Sequence, residues 1–225
     1  MYKRQNYRLP ALNDQYWQQG GNSQIKPEYA WNIELGGLFE KRFNRSFVKL
    51  DLNVFSSWVE NWILWSPQSN GLWEAGNVHR VWNKGGHVKT DIGGQLGNLD
   101  WRLSFNYTLA MPDQFENIDE QQNGKRIIYS PDHILQSNVH VTFKQLDCIV
   151  SHQIVSSRFL DSYNSASLPL YHVGSIECRY EWNKKRWRAA LWVRLNNAYG
   201  HSYQIVSLRP MPLQIFQSGI QLSIE

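Results

Sequence analysis

From Leu99 to Leu109 every second residue is apolar: Leu99, Trp101, Leu103, Phe105, Tyr107 and Leu109, with Asp100, Arg102, Ser104, Asn106 and Thr108 between them. That is the period of a strand with one apolar and one polar face. The arm before it alternates too, with Val88, Thr90, Ile92, Gly94 and Leu96 set against Lys89, Asp91, Gly93 and Gln95, and Gly97-Asn98 joins the arms. Pairing Leu96 with Trp101 sets Ile92 opposite Phe105 and Val88 opposite Leu109, so both apolar rows share a face. Alternation recurs along the chain and predicts about nine strands, at 28–40, 46–58, 78–95, 99–110, 133–145, 147–158, 170–182, 186–198 and 213–224.

The connections between these strands alternate short and long. Short turns fall near 41–45, 96–98, 145–146 and 183–185; long loops fall near 59–77, 111–132, 159–169 and 199–212. A soluble sandwich has no reason to sort loop lengths by parity, whereas a barrel crossing an outer membrane has short periplasmic turns and long extracellular loops. Aromatic placement agrees. Phe39, Phe47, Trp101, Phe143, Trp182 and Trp187 flank the short turns, with Phe47 out of phase; Trp31, Trp58, Trp62, Tyr107 and Tyr171 lie nearer the long loops. Two aromatic belts with aliphatic residues between them fit a bilayer slab.

Composition narrows the choice further. The chain has 225 residues, 14% of them aromatic, with 11 Trp and 11 Tyr. Mean hydropathy is -0.52, too polar for a helical membrane protein but compatible with a barrel, where half of each strand is polar. No apolar run reaches the roughly 20 residues of a spanning helix. Lys+Arg 23 against Asp+Glu 19 leaves a mild positive charge, and no basic cluster or recognition helix points to nucleic acid. Cys148 and Cys178 fall on consecutive strands, on the apolar row, almost opposite each other. A bridge is within reach, but one extra loop residue would shift the register, and two lipid-facing thiols are the favoured expectation.

The beginning of the chain stands apart. Tyr2-Lys3-Arg4-Gln5 is what the bases TAT-AAG-AGA-CAG encode, and those bases resemble the end of a transposase adapter used in sequencing libraries. Residues 1–5 are therefore expected to be non-native, residues 6–27 an extracellular loop, and residues 28–225 the barrel strands.

Several segments, taken in order, resemble the late barrel of TonB-dependent outer-membrane receptors. Arg8-Leu9-Pro10, Gly21-Asn22 and Pro27-Glu28, with Ile25 in place of the usual Leu, stand within Tyr7–Gly36 as they do in the family. NWILWSP (Asn61–Pro67), NVHRVWNKGGHV (Asn77–Val88), LNNAYG (Leu195–Gly200) and RPMP (Arg209–Pro212) follow in the family's order. The resemblance implies an all-β, antiparallel transmembrane β-barrel of about 22 strands, of which this chain supplies the C-terminal part, open if alone and without plug or TonB box. It implies uptake of a scarce nutrient, on the cobalamin or iron-chelate branch, with outer-membrane lipid, TonB acting through the missing plug domain, the nutrient ligand and the barrel-assembly machinery as partners. The terminal Ser223-Ile224-Glu225 departs from the aromatic ending that the assembly machinery reads.

Candidate chemistry is sparse. G-x-S-x-G, H-E-x-x-H and C-x-x-C are absent, which argues against an enzyme, and no cofactor is implied. His133, His140 and His152 could meet across neighbouring strands, but His140 and His152 should face opposite sides. Asp113, Glu116, Asp119 and Glu120 form an acidic loop without EF-hand spacing, expected to be solvated. Lys49, Asp51, Lys89, Asp91, Asp100, Arg102, Arg188 and Arg194 should face a lumen. Aromatic loop residues give large contact area at low entropy cost, so Tyr16, Trp17, Trp65, Trp73 and Tyr203 are the ligand-binding candidates. Two other functions fit the pattern less well: a secreted aromatic-rich β-sandwich binding carbohydrate, and a passive porin.

Overall fold

The computed structural model describes residues 2–68, 71–117, 119–184 and 187–224. In chain order the elements are β1 (Tyr2–Arg8), α1 (Leu12–Tyr16), β2 (Glu28–Arg42), β3 (Ser46–Pro67), β4 (Trp73–Leu96), β5 (Leu99–Phe115), β6 (His133–Phe143), β7 (Leu146–Val155), β8 (Arg158–Phe159), β9 (Ser167–Leu168), β10 (Tyr171–Lys184), β11 (Trp187–Asn196), β12 (Gln204–Val206), β13 (Arg209–Pro210) and β14 (Ile215–Ile224). Ten strands form one antiparallel sheet in the order β1-β2-β3-β4-β5-β6-β7-β10-β11-β14, while β8-β9 and β12-β13 are separate two-stranded pairs. Order in space follows order in sequence, and β1 and β14 are the two open edges.

The sheet has one strand more than the alternation predicts. Tyr2–Arg8 pairs with Glu28–Glu34, so residues 6–8, expected in a loop, are strand. The segment escapes detection because only Tyr2 and Tyr7 are apolar in it. The central hairpin is also tighter than expected. Leu96 pairs with Leu99, Ile92 with Leu103 and Val88 with Tyr107, two residues away from the predicted register. Gly97, at φ +63°, allows a two-residue turn, which sets the pairing. A slip of two leaves every side chain on its predicted face.

A larger difference lies in β3 and β4, which run 22 and 24 residues. The loop expected at 59–77 shrinks to the residues between Pro67 and Trp73. At about 3.4 Å per residue and a tilt of about 45°, a 24-residue strand rises about 55–60 Å, more than twice the apolar band of about 25 Å. The β3-β4 hairpin therefore stands well clear of the slab at the long-connection end. The short turn expected near 183–185 falls in part outside the described residues.

Among the described residues, two clusters of buried apolar residues form: Ile25, Ile63 and Ala75 with Trp65 against them, and Val59, Val81 and Ile127 with Trp62, Leu64 and Val78 against them. Both lie on the upper β3-β4 hairpin, where the segment after α1 covers one side and the connection after β5 covers the other. The apolar face of the sheet itself is bare: Leu35, Val54, Leu191 and Ile220 are 52–72% exposed. A sandwich would bury that face against a second sheet.

Phe47 lies on the polar face, as its phase predicts, and it fits there because it meets glycine. A Cβ on Gly93 would come within 2.7 Å of the Phe47 ring, and the Arg102 guanidinium sits 5.6 Å from the centre of that ring. Cys148 and Cys178 are directly paired with Cα atoms 4.2 Å apart and are joined by a disulfide. The expectation of two free thiols is thus corrected: β7 and β10 pair in the register that puts the cysteines face to face.

Candidate ligand-binding mouth

Among the described residues four polar side chains are buried, Asp14, Gln114, Arg158 and Asn197, and three of the four hold a long connection in place, the fourth, Asp14, anchoring the N-terminal segment. Asp14 accepts from the Trp65 indole N–H at 2.9 Å and from the Ala11 backbone N–H at 2.9 Å, fixing α1 against β3. The Gln114 amide donates to the carbonyl of Arg126 at 3.2 Å and accepts from Asn117 at 3.2 Å, folding the β5-β6 connection back on its own strand. Asn197, at φ +47°, donates to the carbonyls of His201 at 2.8 Å and Pro212 at 3.2 Å, closing the β11-β14 connection on itself. Arg158 links two connections by donating to the carbonyl of Gln204. Buried polar groups cost free energy unless hydrogen-bonded, and these are satisfied by loop backbone together with the Trp65 and Asn117 side chains, which orders the loops.

Charged pairs reinforce the same rim. Arg126 pairs with Asp113 and, at 3.0 Å, with Asp132, while Lys84 reaches Asp113 at 3.1 Å. Glu116 pairs with Arg80. The Tyr163 hydroxyl donates to Asp119 at 2.7 Å; that bond, with the Gln121 backbone N–H, holds the Asp119 carboxyl below the usual range. Burial pushes the Asp161 carboxyl up, but the N–H groups of Ala166, Ser165 and Tyr163 and the Ser165 hydroxyl outweigh it, so its pKa is lowered. Asp113, Glu116 and Asp119 are thus dispersed onto separate cations and donors rather than gathered together.

Within this rim the aromatic candidates divide. Trp73, at the tip of β4, lies 5.5 Å from the ring of Tyr129. Tyr203 stacks on Tyr171 at 4.6 Å, and the Arg158 guanidinium lies 4.8 Å from the Tyr171 ring. Tyr129 joins the two pairs, since its N–H donates to the carbonyl of Phe159 at 2.8 Å, next to Arg158. Trp73, Tyr129, Arg158, Tyr171 and Tyr203 therefore form one aromatic-cationic cluster at the junction of three connections. Trp65 stands apart, bound to Asp14 and packed on Ile25, Ile63 and Ala75. Tyr16 and Trp17 are exposed on the segment around α1, lining a separate shallow cavity with Leu12 and Asn13. Tyr129, Tyr171 and Arg158 were not singled out from sequence as ligand residues. The first two are aromatic and could have been, whereas nothing in Ser157-Arg158-Phe159 marks the arginine as buried.

Below the cluster, on the polar face, Gln136, Asn138, Gln153, Ser175, Asn196 and Tyr203 line a cavity of about 520 Å³. Further down, the cross-strand register alternates charge: Lys49 faces Asp91 and Asp51 faces Lys89. Arg194 binds Glu177 at 2.7 Å. All eight charged residues expected to share a face do so by register. His140 and His152 fall on opposite faces, and His140 is engaged by Asp147 at 2.6 Å.

Comparison with known proteins gives a consistent family. The curated Vitamin B12 transporter BtuB of Vibrio vulnificus is 32% identical over 99 residues, 44% of this chain and 15% of that protein. Among solved structures, the copper transporter OprC superposes with a TM-score of 0.69 at 14% identity, covering 98% of this chain and 36% of that one. The ferric-catecholate import receptor Fiu of E. coli K12 gives 0.63 at 15% identity, covering 95% and 30%. The siderophore receptor PiuA of Acinetobacter baumannii gives 0.63 at 18% identity, covering 89% and 29%. The chain thus spans well under half the length of each relative it matches, and the structural likenesses establish the fold. Residues 4–197 match the family described as TonB dependent receptor-like, beta-barrel, and with an open antiparallel sheet, a bare apolar face and a rim of pinned long connections, this chain belongs to that family.

Proposed function

We propose that the chain forms part of the wall and outer mouth of a receptor in the bacterial outer membrane that imports a scarce, bulky nutrient of the cobalamin or iron-chelate kind. The observation that carries this is the cluster of Trp73, Tyr129, Arg158, Tyr171 and Tyr203 standing over a polar-face cavity, at the end of the sheet where the long connections gather. Rings of this kind offer rigid contact area to a large ligand. Lipid covers the bare apolar face, the barrel-assembly machinery inserts the strands, and TonB acts through a plug carried elsewhere in the receptor.

The ten-stranded sheet does not transport by itself. Two open edges in hydrocarbon leave backbone groups without partners, and ten strands are too few to enclose the lumen of a 22-stranded transporter. Alone, the chain aggregates through those edges. The test is uptake of radiolabelled cobalamin or ferric siderophore by outer-membrane vesicles carrying residues 6–225. No uptake is expected, and Trp73→Ala or Tyr203→Ala in a receptor carrying this wall should weaken ligand binding about tenfold. Substrate-specific uptake by residues 6–225 alone, or unchanged affinity in both variants, would overturn the proposal.

A further inference from the structure

Arg158 differs from the other arginines that the described residues place in ion pairs. Arg80, Arg126, Arg179 and Arg194 each pair with an Asp or Glu. Arg158 is only 4% exposed, yet among the described residues no carboxylate pairs with it. Its partners are the carbonyls of Gln204 and Ser156 and the face of Tyr171. Burial lowers its pKa, the sign of a cation short of counter-charge. Taking a guanidinium out of water is costly unless an anion compensates it, and a planar fork of donors is matched best by a bidentate oxyanion.

The group that covers Arg158 is itself a weakly anchored piece of chain. Gln204 begins the β12-β13 pair, which is joined to no other strand. Leu208, at the tip, is 89% exposed and at φ +62°. Within the hairpin, Leu208 N–H donates to the Gln204 side chain at 2.9 Å and Met211 N–H to the Tyr203 carbonyl at 2.9 Å. It is tied to the rest of the molecule by the Arg158 bond to Gln204, the Tyr203 stack on Tyr171 and the Asn197 bond to Pro212. Tyr203, Met211, Pro212 and Leu213 of this connection also line the 520 Å³ cavity. Lifting the hairpin would therefore open the cavity and uncover the guanidinium in one movement.

We propose that Arg158 is an oxyanion subsite latched shut by the β11-β14 connection: a carboxylate or phosphate group on the ligand takes the place of the Gln204 carbonyl, and the hairpin lifts away. The inference rests on the receptor function proposed above, and it adds that the ligand presents a compact anionic group to Arg158, beside Tyr171.

The test is amide hydrogen exchange, read by mass spectrometry on a receptor carrying this wall in detergent micelles, with citrate and inorganic phosphate as separate probes and chloride at matched ionic strength as control. Citrate, phosphate or both should raise exchange across 204–211 about tenfold, saturably, while chloride does nothing. A response to one probe alone identifies carboxylate or phosphate as the group the subsite takes. Arg158→Lys keeps the charge but loses the fork, so it should need at least tenfold more anion for the same effect with exchange in β10 and β11 unchanged. Arg158→Gln should loosen 204–211 without anion and respond to none. If wild-type exchange is the same in citrate, phosphate and chloride, Arg158 is a structural latch only and the proposal fails. Because no transport is measured, that failure leaves the receptor function standing, and unchanged ligand affinity in the Trp73 and Tyr203 variants would overturn the receptor function while leaving the anion response intact.

Discussion

Reducing the Cys148–Cys178 bridge should lower the stability of this chain by a predictable amount. The cysteines are 30 residues apart in sequence, so the bridge closes a loop that contains the whole β7-β10 connection. In the chain-entropy account, a loop of that size removes about 12 cal/mol/K from the unfolded ensemble, or about 3–4 kcal/mol at 25 °C. On the native side, strand pairing already holds the two cysteines directly opposite each other, with Cα atoms 4.2 Å apart. The assay is guanidinium unfolding of a detergent-solubilised receptor carrying this wall, followed by tryptophan fluorescence, with and without reductant. Cys148→Ser/Cys178→Ser should reproduce the reduced midpoint and be insensitive to reductant. Thiol alkylation gives an independent check: no label before reduction, two after. Labelling of both cysteines in the unreduced chain, or a stability change below about 1 kcal/mol, would refute the argument.

Three further outcomes follow from the geometry. Leu191 is four residues from Trp187, about 10 Å into the slab at the tilt assumed above; Leu191→Arg in a lipid-inserted receptor should cost about 2–4 kcal/mol. Ser104→Arg, on the polar face beside Asp91, should cost far less, and equal costs in a lipid-refolding titration would remove the two-faced assignment. The lowered pKa of Asp161 adds stability that is complete above the unfolded-state value of about 3.9 and lost as pH falls through the lower folded value; exchange of the Ser165 and Ala166 amides, corrected for intrinsic rate, should therefore rise only below about pH 4. Asp14→Ala strands the Trp65 indole N–H, and the loss of a bond to a charged acceptor costs about 1.5–3 kcal/mol, seen as faster exchange across 11–25 with β10 and β11 unaffected.

The wall was legible in the sequence because two solvents impose strict alternation on it. Leu103 must face one and Ser104 the other, so the period survives without any knowledge of neighbours. Where both faces are covered by protein the period disappears. Trp62, Ile63, Leu64 and Trp65 run together because the segment around Ile25 packs on one side of the upper hairpin and Ile127 on the other, and a run with no alternation looks like a loop. β1 is hidden for the opposite reason, as an edge strand with little apolar content. Tyr203 and Trp73 were found as aromatic loop residues, and the structure does gather them. Arg158 was missed because its burial depends on Gln204 and Tyr203, which arrive from a connection some forty residues later.

The position of the core has a thermal consequence. Ile25, Ile63, Val81 and Ile127 are buried from water, and burial of that kind carries a large heat-capacity change and weakens on cooling. On the membrane placement proposed above, Leu191 and Ile220 face hydrocarbon instead, and no such change accompanies their surroundings. Calorimetry should therefore find two components in one chain: a rim that behaves like a small aqueous protein, with a curved stability profile and a temperature of maximum stability, and a wall with a nearly flat one. Chilling should loosen the mouth while leaving the strands beneath it in place.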